Sequence, residues 1–222
     1  MLSKTQQKLV TELVHSKKAR RESGLFLIEG AKFVRDAKQH LQFSFTDKDV
    51  QNFRDLISTE TPQSVAGVAK IPDWTLKDVL QKKVIVVLDG LQDPGNVGTI
   101  LRACLAFNAS LILIEAADPT NPKAVRASAA AILQTPWIEI GRLDAEKALE
   151  DIGRSIYRLE LRPGAISIKE VKEESLVLIA GNEGKGIKLS IAGQSVAIPQ
   201  SEALESLNVA TAVSIALYEL AF

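Results

Sequence analysis

The chain has 222 residues, 46% hydrophobic and 24% charged, which is enough apolar content for a packed core and excludes a disordered chain. No apolar run approaches the roughly 20 residues of a membrane span, and the polar, basic start lacks the hydrophobic stretch of a secretory signal. One cysteine, Cys104, excludes an internal disulfide and fits a reducing cytoplasm, and only two histidines, His15 and His40, leave almost no material for a zinc site or a His-based catalytic pair.

Formal net charge is zero, but the charge is uneven. Residues 1–40 carry nine basic side chains against four acidic ones, so this segment is +5 and the remainder −5. Lys17, Lys18, Arg20 and Arg21 form its densest cluster, a pattern that suits a polyanion and equally suits a solvated helix face.

Residues 4–19 read as a helix with Leu9, Leu13 and Val14 on one side. After Gly24, residues 25–28 make a short strand, and a second helix runs from Gly30 to about Lys38. A short segment at Phe43 and Phe45, a helical stretch at 49–57 and a strand at 65–69 follow, and residues 72–83 read as a linker. From Val84 the pattern changes to continuous apolar strands at 84–88, 111–114, 176–180 and 196–198. They alternate with helices at 97–107, 124–133, 146–157 and 208–220. Such alternation predicts an α/β domain with a parallel sheet covered on both faces, whose ligands bind beyond the carboxyl ends of the strands. Cys104, among Leu101, Ala103 and Leu105, reads as a buried thiol.

Three loops at such ends carry chemistry. In the first, residues 89–102, two glycines and Pro94 set a tight turn; Asn96 stands where a helix cap belongs, and Arg102 lies about one and a half turns further on. In the second, Gly181, Asn182, Glu183, Gly184, Lys185 and Gly186 follow a buried strand. The P-loop pattern fails there, because the spacing is short and Gly186 replaces the Ser/Thr that would hold magnesium. In the third, Ile198 and Pro199 lead to Ser206, Leu207, Asn208 and Val209, with Ser206 placed to cap the last helix. Each loop taken alone also reads as an ordinary turn.

Together, in this order and spacing, they resemble the three motifs of the SpoU/TrmH family of RNA 2′-O-ribose methyltransferases. Asn96, Gly98 and Arg102 match the first motif, the run from Gly181 to Gly186 the second, and Ile198-Pro199 with 206–209 and Tyr218-Glu219 the third. Asn121-Pro122-Lys123 and Arg126-Ala127-Ser128 resemble the segment between the first two. Upstream, Lys18, Arg20, Arg21, the run Gly24-x-Phe26-x-Ile28-Glu29-Gly30, and Thr61-Pro62-Gln63 resemble the N-terminal substrate-binding domain.

The resemblance implies a small α+β RNA-binding domain over residues 1–72, shortened relative to the family. It also implies a catalytic domain over 75–222 with a C-terminal trefoil knot. The cofactor implied is S-adenosyl-L-methionine, held by Gly181, Asn182, Gly184, Ile198, Pro199 and Leu207 without a metal. The implied catalytic set is Arg102, oriented by Asn96, with Glu183, Ser206 and Asn208. Lys17, Lys18, Arg20 and Arg21 would contact RNA, ribosomal RNA ahead of transfer RNA, and the protein would be a cytoplasmic homodimer with its site completed across the interface. The rival readings are a non-catalytic RNA-binding or assembly factor and a base methyltransferase on the same scaffold. The sequence departs from the family's pattern at Glu202 and Ala130, where glycine is usual, at Gln200 in place of methionine, and at Ala210 in place of serine.

Overall fold

The expected first helix is two helices, because Ser16 breaks it. In the computed structural model, which describes residues 1–57, 63–201, 203 and 205–221, Ser16 is extended (φ −120°, ψ 111°). Helix α1 (Lys4–His15) starts on a capping box between Ser3 and Gln6, and the Ser16 hydroxyl caps α2 (Lys17–Ser23) by accepting the Ala19 N–H. Gly24, in the left-handed region at φ 65°, turns the chain into β1 (Leu25–Glu29). Then come α3 (Ala31–Asp36), β2 (Leu41–Thr46), α4 (Phe53–Ile57) and β3 (Val65–Lys70). Thr61, Pro62 and Glu202, singled out in the sequence, lie outside the described residues.

The three strands form an antiparallel sheet in the order β1-β3-β2. Successive strand residues face opposite ways, so this sheet serves two cores. Leu27, Phe45 and Val68 pack with Val10 and Leu13 of α1 and with Phe53 and Ile57 of α4. Phe26, Ile28 and Ala69 belong instead to the core that contains Val86, Leu88 and Ile100. The N-terminal region and the C-terminal domain therefore share one apolar cluster, beside two clusters that the C-terminal domain forms from its own residues.

The segment expected as a linker holds a short helix, α5 (Leu76–Leu80), capped by Thr75 and Asp78. Beyond it lies a seven-stranded sheet, parallel throughout. Its strands are β4 (Val84–Asp89), β5 (Ser110–Ile114), β6 (Trp137–Ile140), β7 (Ser155–Leu159), β8 (Ile166–Ser167), β9 (Leu176–Gly181) and β10 (Gln194–Ala197). One face packs on α6 (Pro94–Ala106), α7 (Pro122–Ser128) and α9 (Val209–Ala221); the other packs on α5 and α8 (Arg142–Asp151). Residues of β4 alternate between these faces, with Val86 and Leu88 on one and Ile85 and Val87 on the other, which is why the run is apolar throughout. No helix among the described residues is long and apolar enough to cross a membrane.

Two expected helices are shorter than the pattern suggested. The helix read over 146–157 ends at Asp151, and Tyr157 sits in the interior strand β7. The helix read over 124–133 ends at Ser128, because Ala129 and Ala130 are both left-handed (φ 47° and 73°) before a turn of tighter helix at Ala131–Leu133. That backbone is costly for alanine and free for glycine, which accounts for the glycine usual at the position of Ala130.

The strand order is β6-β5-β4-β9-β7-β10-β8. Strand β9 enters between β4 and β7, and β10 enters between β7 and β8, each filling a gap bounded by strands that precede it in the chain. Close packing of α6 on α7 depends on Gly98, since a Cβ there would lie 2.2 Å from the Ala124 carbonyl oxygen and 2.7 Å from Ala127 Cβ.

Candidate active site

The loop after β4 opens on Asp89, which is fully buried and which no pattern in the sequence marks out. Its Oδ2 accepts the backbone N–H groups of Lys188 (2.5 Å) and Leu189 (2.8 Å), and its Oδ1 lies 2.7 Å from the Arg142 guanidinium. Arg142 also donates to Glu115 at 2.8 Å. Burial alone would lower the Arg142 pKa, but the two carboxylates outweigh it and hold the pKa above the ordinary arginine value.

Further along this loop the cap is Asp93, not Asn96: its carboxylate accepts the Asn96 N–H at 2.9 Å, with Pro94 in the first turn of α6. Asp93 also receives Lys123 Nζ at 2.7 Å, and that bond, ahead of the Asn96 N–H, holds its carboxyl below the usual carboxylate range. With the cap supplied by Asp93, the Asn96 side chain is free for other partners. Its Nδ2 donates to Glu183 Oε1 at 2.6 Å, and its Oδ1 accepts from Asn208 Nδ2 at 3.1 Å. A carboxylate can only accept, so the Glu183 contact fixes which way the Asn96 amide points.

Asn208, not Ser206, caps the last helix, its Oδ1 accepting the N–H groups of Ala210 (3.0 Å) and Thr211 (3.2 Å). One residue from each loop thus meets in a single chain of hydrogen bonds, Glu183–Asn96–Asn208. The second loop is a closed turn in which Asn182 and Gly186 exchange backbone hydrogen bonds and Asn182 Nδ2 donates to the Gly90 carbonyl at 3.3 Å. Gly181 is obligatory there, because a Cβ would lie 2.3 Å from the Gly186 carbonyl carbon.

A cavity of about 420 Å³ opens beside this network, at the carboxyl ends of β7, β9 and β10. Of the residues expected to hold cofactor, Gly181, Asn182, Ile198 and Leu207 line it, together with Glu183 and Ser206 of the expected catalytic set. Gly184 is exposed and outside the lining, and Pro199 lines an adjoining depression instead. The sequence reading missed an entire wall, Leu159 to Arg162, because it read the preceding strand as helix. In that wall Glu160 accepts the Ser195 hydroxyl (2.6 Å), Arg158 Nε (3.2 Å) and Arg162 Nη1 (3.3 Å). Burial pushes the Glu160 carboxyl up, but these partners outweigh it and hold the pKa below the usual glutamate value.

Arg102 stands apart. It is exposed on α6, outside the cavity lining, and has no hydrogen bond or ion pair with a described residue. Asn96 engages Glu183 and Asn208, and within this chain it makes no hydrogen bond to Arg102. The basic cluster also divides. Arg20 is only 3% exposed and bonded to Asp118, Thr120 and the Leu13 carbonyl, so it is not available to phosphate. Lys17 and Arg21 both pair with Glu139 of β6, and Lys18 pairs with Glu22. Among the described residues, no group of His, Cys, Asp and Glu could hold a metal ion.

The model of the SpoU rRNA Methylase family matches residues 83–218, which contain the three loops and the cavity. The chain belongs to this family. Its fold is the family's knotted one, with a small α+β region ahead of the parallel-sheet domain. The chain is similar to the 23S rRNA (guanosine(2553)-2′-O)-methyltransferase of Bacillus subtilis, at 28% identity over 93% of this chain and 92% of that one. It is 31% identical to the 23S rRNA (adenosine(1067)-2′-O)-methyltransferase of Streptomyces azureus, over 82% of this chain and 70% of the relative. Among solved structures it resembles the AdoMet-bound rRNA methyltransferase of Sinorhizobium meliloti, with a TM-score of 0.86 and 26% identity over 99% of this chain and 96% of that one.

Asn96 belongs to the site more than to the fold, which gives a clear expectation. In Asn96→Ala, the Asp93 cap persists, so stability to urea should change by no more than about 0.5 kcal/mol. Methyl transfer should nevertheless fall by about 100-fold, because Glu183 and Asn208 lose their common partner. Parallel denaturation and radiolabel assays check this; a stability loss that matches the activity loss would make Asn96 structural.

Proposed function

We propose that this protein transfers a methyl group from S-adenosyl-L-methionine to a ribose 2′-hydroxyl of ribosomal RNA, and that it works as a homodimer. The observation that carries the reading is the Glu183–Asn96–Asn208 network beside a 420 Å³ cavity at the carboxyl ends of the parallel strands. That volume lies within the range of small-molecule sites, roughly 300–1,000 Å³. Its wall suits the cofactor's mixed chemistry: Leu159, Leu161, Val196, Ile198 and Leu207 offer apolar surface, and Glu183 and Glu205 offer negative charge to a cation. When bound, the cofactor supplies a methyl group on a sulfonium centre.

The chain's own task is to align a hydroxyl with that methyl and to manage the proton it loses. In this reading Ser206 and the Asn96–Asn208 pair orient the acceptor. Arginine is a poor base, since its pKa exceeds about 12. Arg102 therefore acts by stabilising the developing alkoxide, with water or an RNA phosphate taking the proton. Ribosomal RNA is the favoured substrate because the Bacillus and Streptomyces relatives are named for it and match beyond the catalytic loops. In this assignment Lys17, Lys18 and Arg21 form the basic surface that faces the RNA backbone.

The dimer reading rests on the surface of α6 and α9. Arg102 shares its exposed face with Leu105, which is 39% exposed, and Tyr218 of α9 is 56% exposed and edge-on to Phe107 at 6.2 Å. An apolar strip beside an arginine that has no partner among the described residues fits a second copy of this chain, and such pairing would carry Arg102 to a site shared by two subunits. Sedimentation checks it: wild type should run as a dimer and Leu105→Glu as a monomer with little activity.

The cofactor and catalytic roles separate in one pair of measurements on the full chain. Calorimetry should show S-adenosylhomocysteine binding to wild type and to Arg102→Ala with similar affinity. Arg102→Ala should lose methyl transfer by about 100-fold or more, the usual scale for removing an oxyanion-stabilising donor. Near-normal turnover in that variant would remove Arg102 from the mechanism, and no binding heat with a folded wild type would remove the cofactor assignment.

A further inference from the structure

We infer that Arg20 is a positioning residue for RNA, holding the N-terminal region in register with the loop that starts α6; the inference rests on the rRNA methyltransferase reading above. Arg20 is buried, and its guanidinium ties together two parts of the chain, the end of α1 and the loop after β5. Nη1 donates to the Leu13 carbonyl at 2.7 Å, satisfying a carbonyl in the last turn of α1. Nη2 and Nε donate to Asp118 Oδ2 at 2.6 and 3.1 Å, and Nε also reaches Thr120 Oγ1 at 3.2 Å. Asp118 is 10% exposed and lies 98 residues along the chain, in the loop after β5.

From Asp118 the contacts continue toward the catalytic loops. Its Oδ1 accepts the Thr120 N–H (2.9 Å) and hydroxyl (2.6 Å), fixing the turn that delivers Asn121. Asn121 caps α7, and Lys123 in the first turn of α7 donates to Asp93. Asp93 caps α6 through the Asn96 N–H. A run of named bonds thus joins the end of α1 to the residue at the centre of the site. The shared apolar core holds the two parts together, but apolar contact is non-directional; a rigid guanidinium plane that gives two N–H groups to one Asp118 oxygen and a third to the Leu13 carbonyl specifies an angle. Lys17 and Arg21 on Glu139 and, more distantly, Arg126 and Glu29 at 4.0 Å add ties across the same boundary, all more exposed than Arg20. Removing this register should displace bound RNA from the 2′-hydroxyl geometry and leave the cofactor cavity, built from β7, β9 and β10, intact.

The test uses full-length protein carrying Arg20→Met with Asp118→Asn. This pair removes both charges together, so no uncompensated buried ion remains, and asparagine keeps the acceptor for the Thr120 N–H. Steady-state kinetics are read with rRNA purified from a strain lacking this protein, S-adenosylhomocysteine affinity by calorimetry, and amide exchange over residues 94–99 and 118–123. The expected result is unchanged cofactor affinity, faster exchange in both segments, and kcat/KM for rRNA lowered by about 100-fold, the scale of an ångström-level misplacement. Arg20→Lys, which keeps the charge but not the fork, should fall between. Wild-type rRNA kinetics in the folded double variant would overturn the inference, and so would a parallel fall in rRNA kinetics and cofactor affinity, which signals general loss of structure. If wild type itself methylates none of this rRNA, the functional reading fails, and the exchange arm alone decides: unchanged exchange overturns the coupling and faster exchange supports it.

Discussion

Asp89 sits at the carboxyl end of β4, beside Gly181 in the sheet register, with no exposure to solvent. A bare carboxylate at such a place is strongly disfavoured, so the chain must bring donors to it. The backbone N–H groups of residues 188 and 189 donate to it, and the Arg142 guanidinium pairs with its charge. This demand pulls the segment after the second loop down onto the end of the first. Once that is done, Asn182 can reach the Gly90 carbonyl and Asn96 can reach Glu183. The site geometry depends on a buried charge in the sheet end more than on any residue that faces the cavity. A buried pair of this kind is weak evidence for added stability; its effect here is to fix register.

The same economy of means shows in the caps. Asp93 takes the capping position in α6 and thereby leaves the Asn96 amide for the site; Asn208 caps α9 through its oxygen and still offers its nitrogen to Asn96. Two ordinary helix starts and one glycine-closed turn, at positions 96, 183 and 208, become one polar network because parallel strands deliver all three loops to the same edge. The cavity beside them is roofed by the late-entering strand β10 and walled by β7, so its shape follows from the strand order.

What the sequence revealed follows from what is local. Residues 84–88, 111–114 and 176–180 are buried on both faces, so an unbroken apolar run was enough to find their strands. The helix expected over 146–157 takes in the first three residues of β7, and Arg158 breaks the apolar run of Ile156, Tyr157 and Leu159; its partners, Glu160 and the carbonyls of Leu189 and Ile191, leave no mark on the local pattern. The wall from Leu159 to Arg162 was lost with it. Charge counting placed Arg20 with Lys17, Lys18 and Arg21, since composition cannot see a partner at Asp118. The strand insertions of β9 and β10 carry no periodic signal at all, and the knot was expected only through the resemblance of the three motifs. Even so, those motifs named eight of the residues that line the cavity.

The central claim is that this protein places a methyl group on a ribose of ribosomal RNA, and the cell's own RNA tests it most directly. Ribosomal RNA from a strain deleted for this protein, digested to nucleosides and compared with wild type by mass spectrometry, should lack one 2′-O-methylated nucleoside per ribosome, and the modification should return with the intact protein but not with Arg102→Ala. An unchanged complement of 2′-O-methylated nucleosides in the deletion strain, or its restoration by the Arg102→Ala variant, would contradict the account.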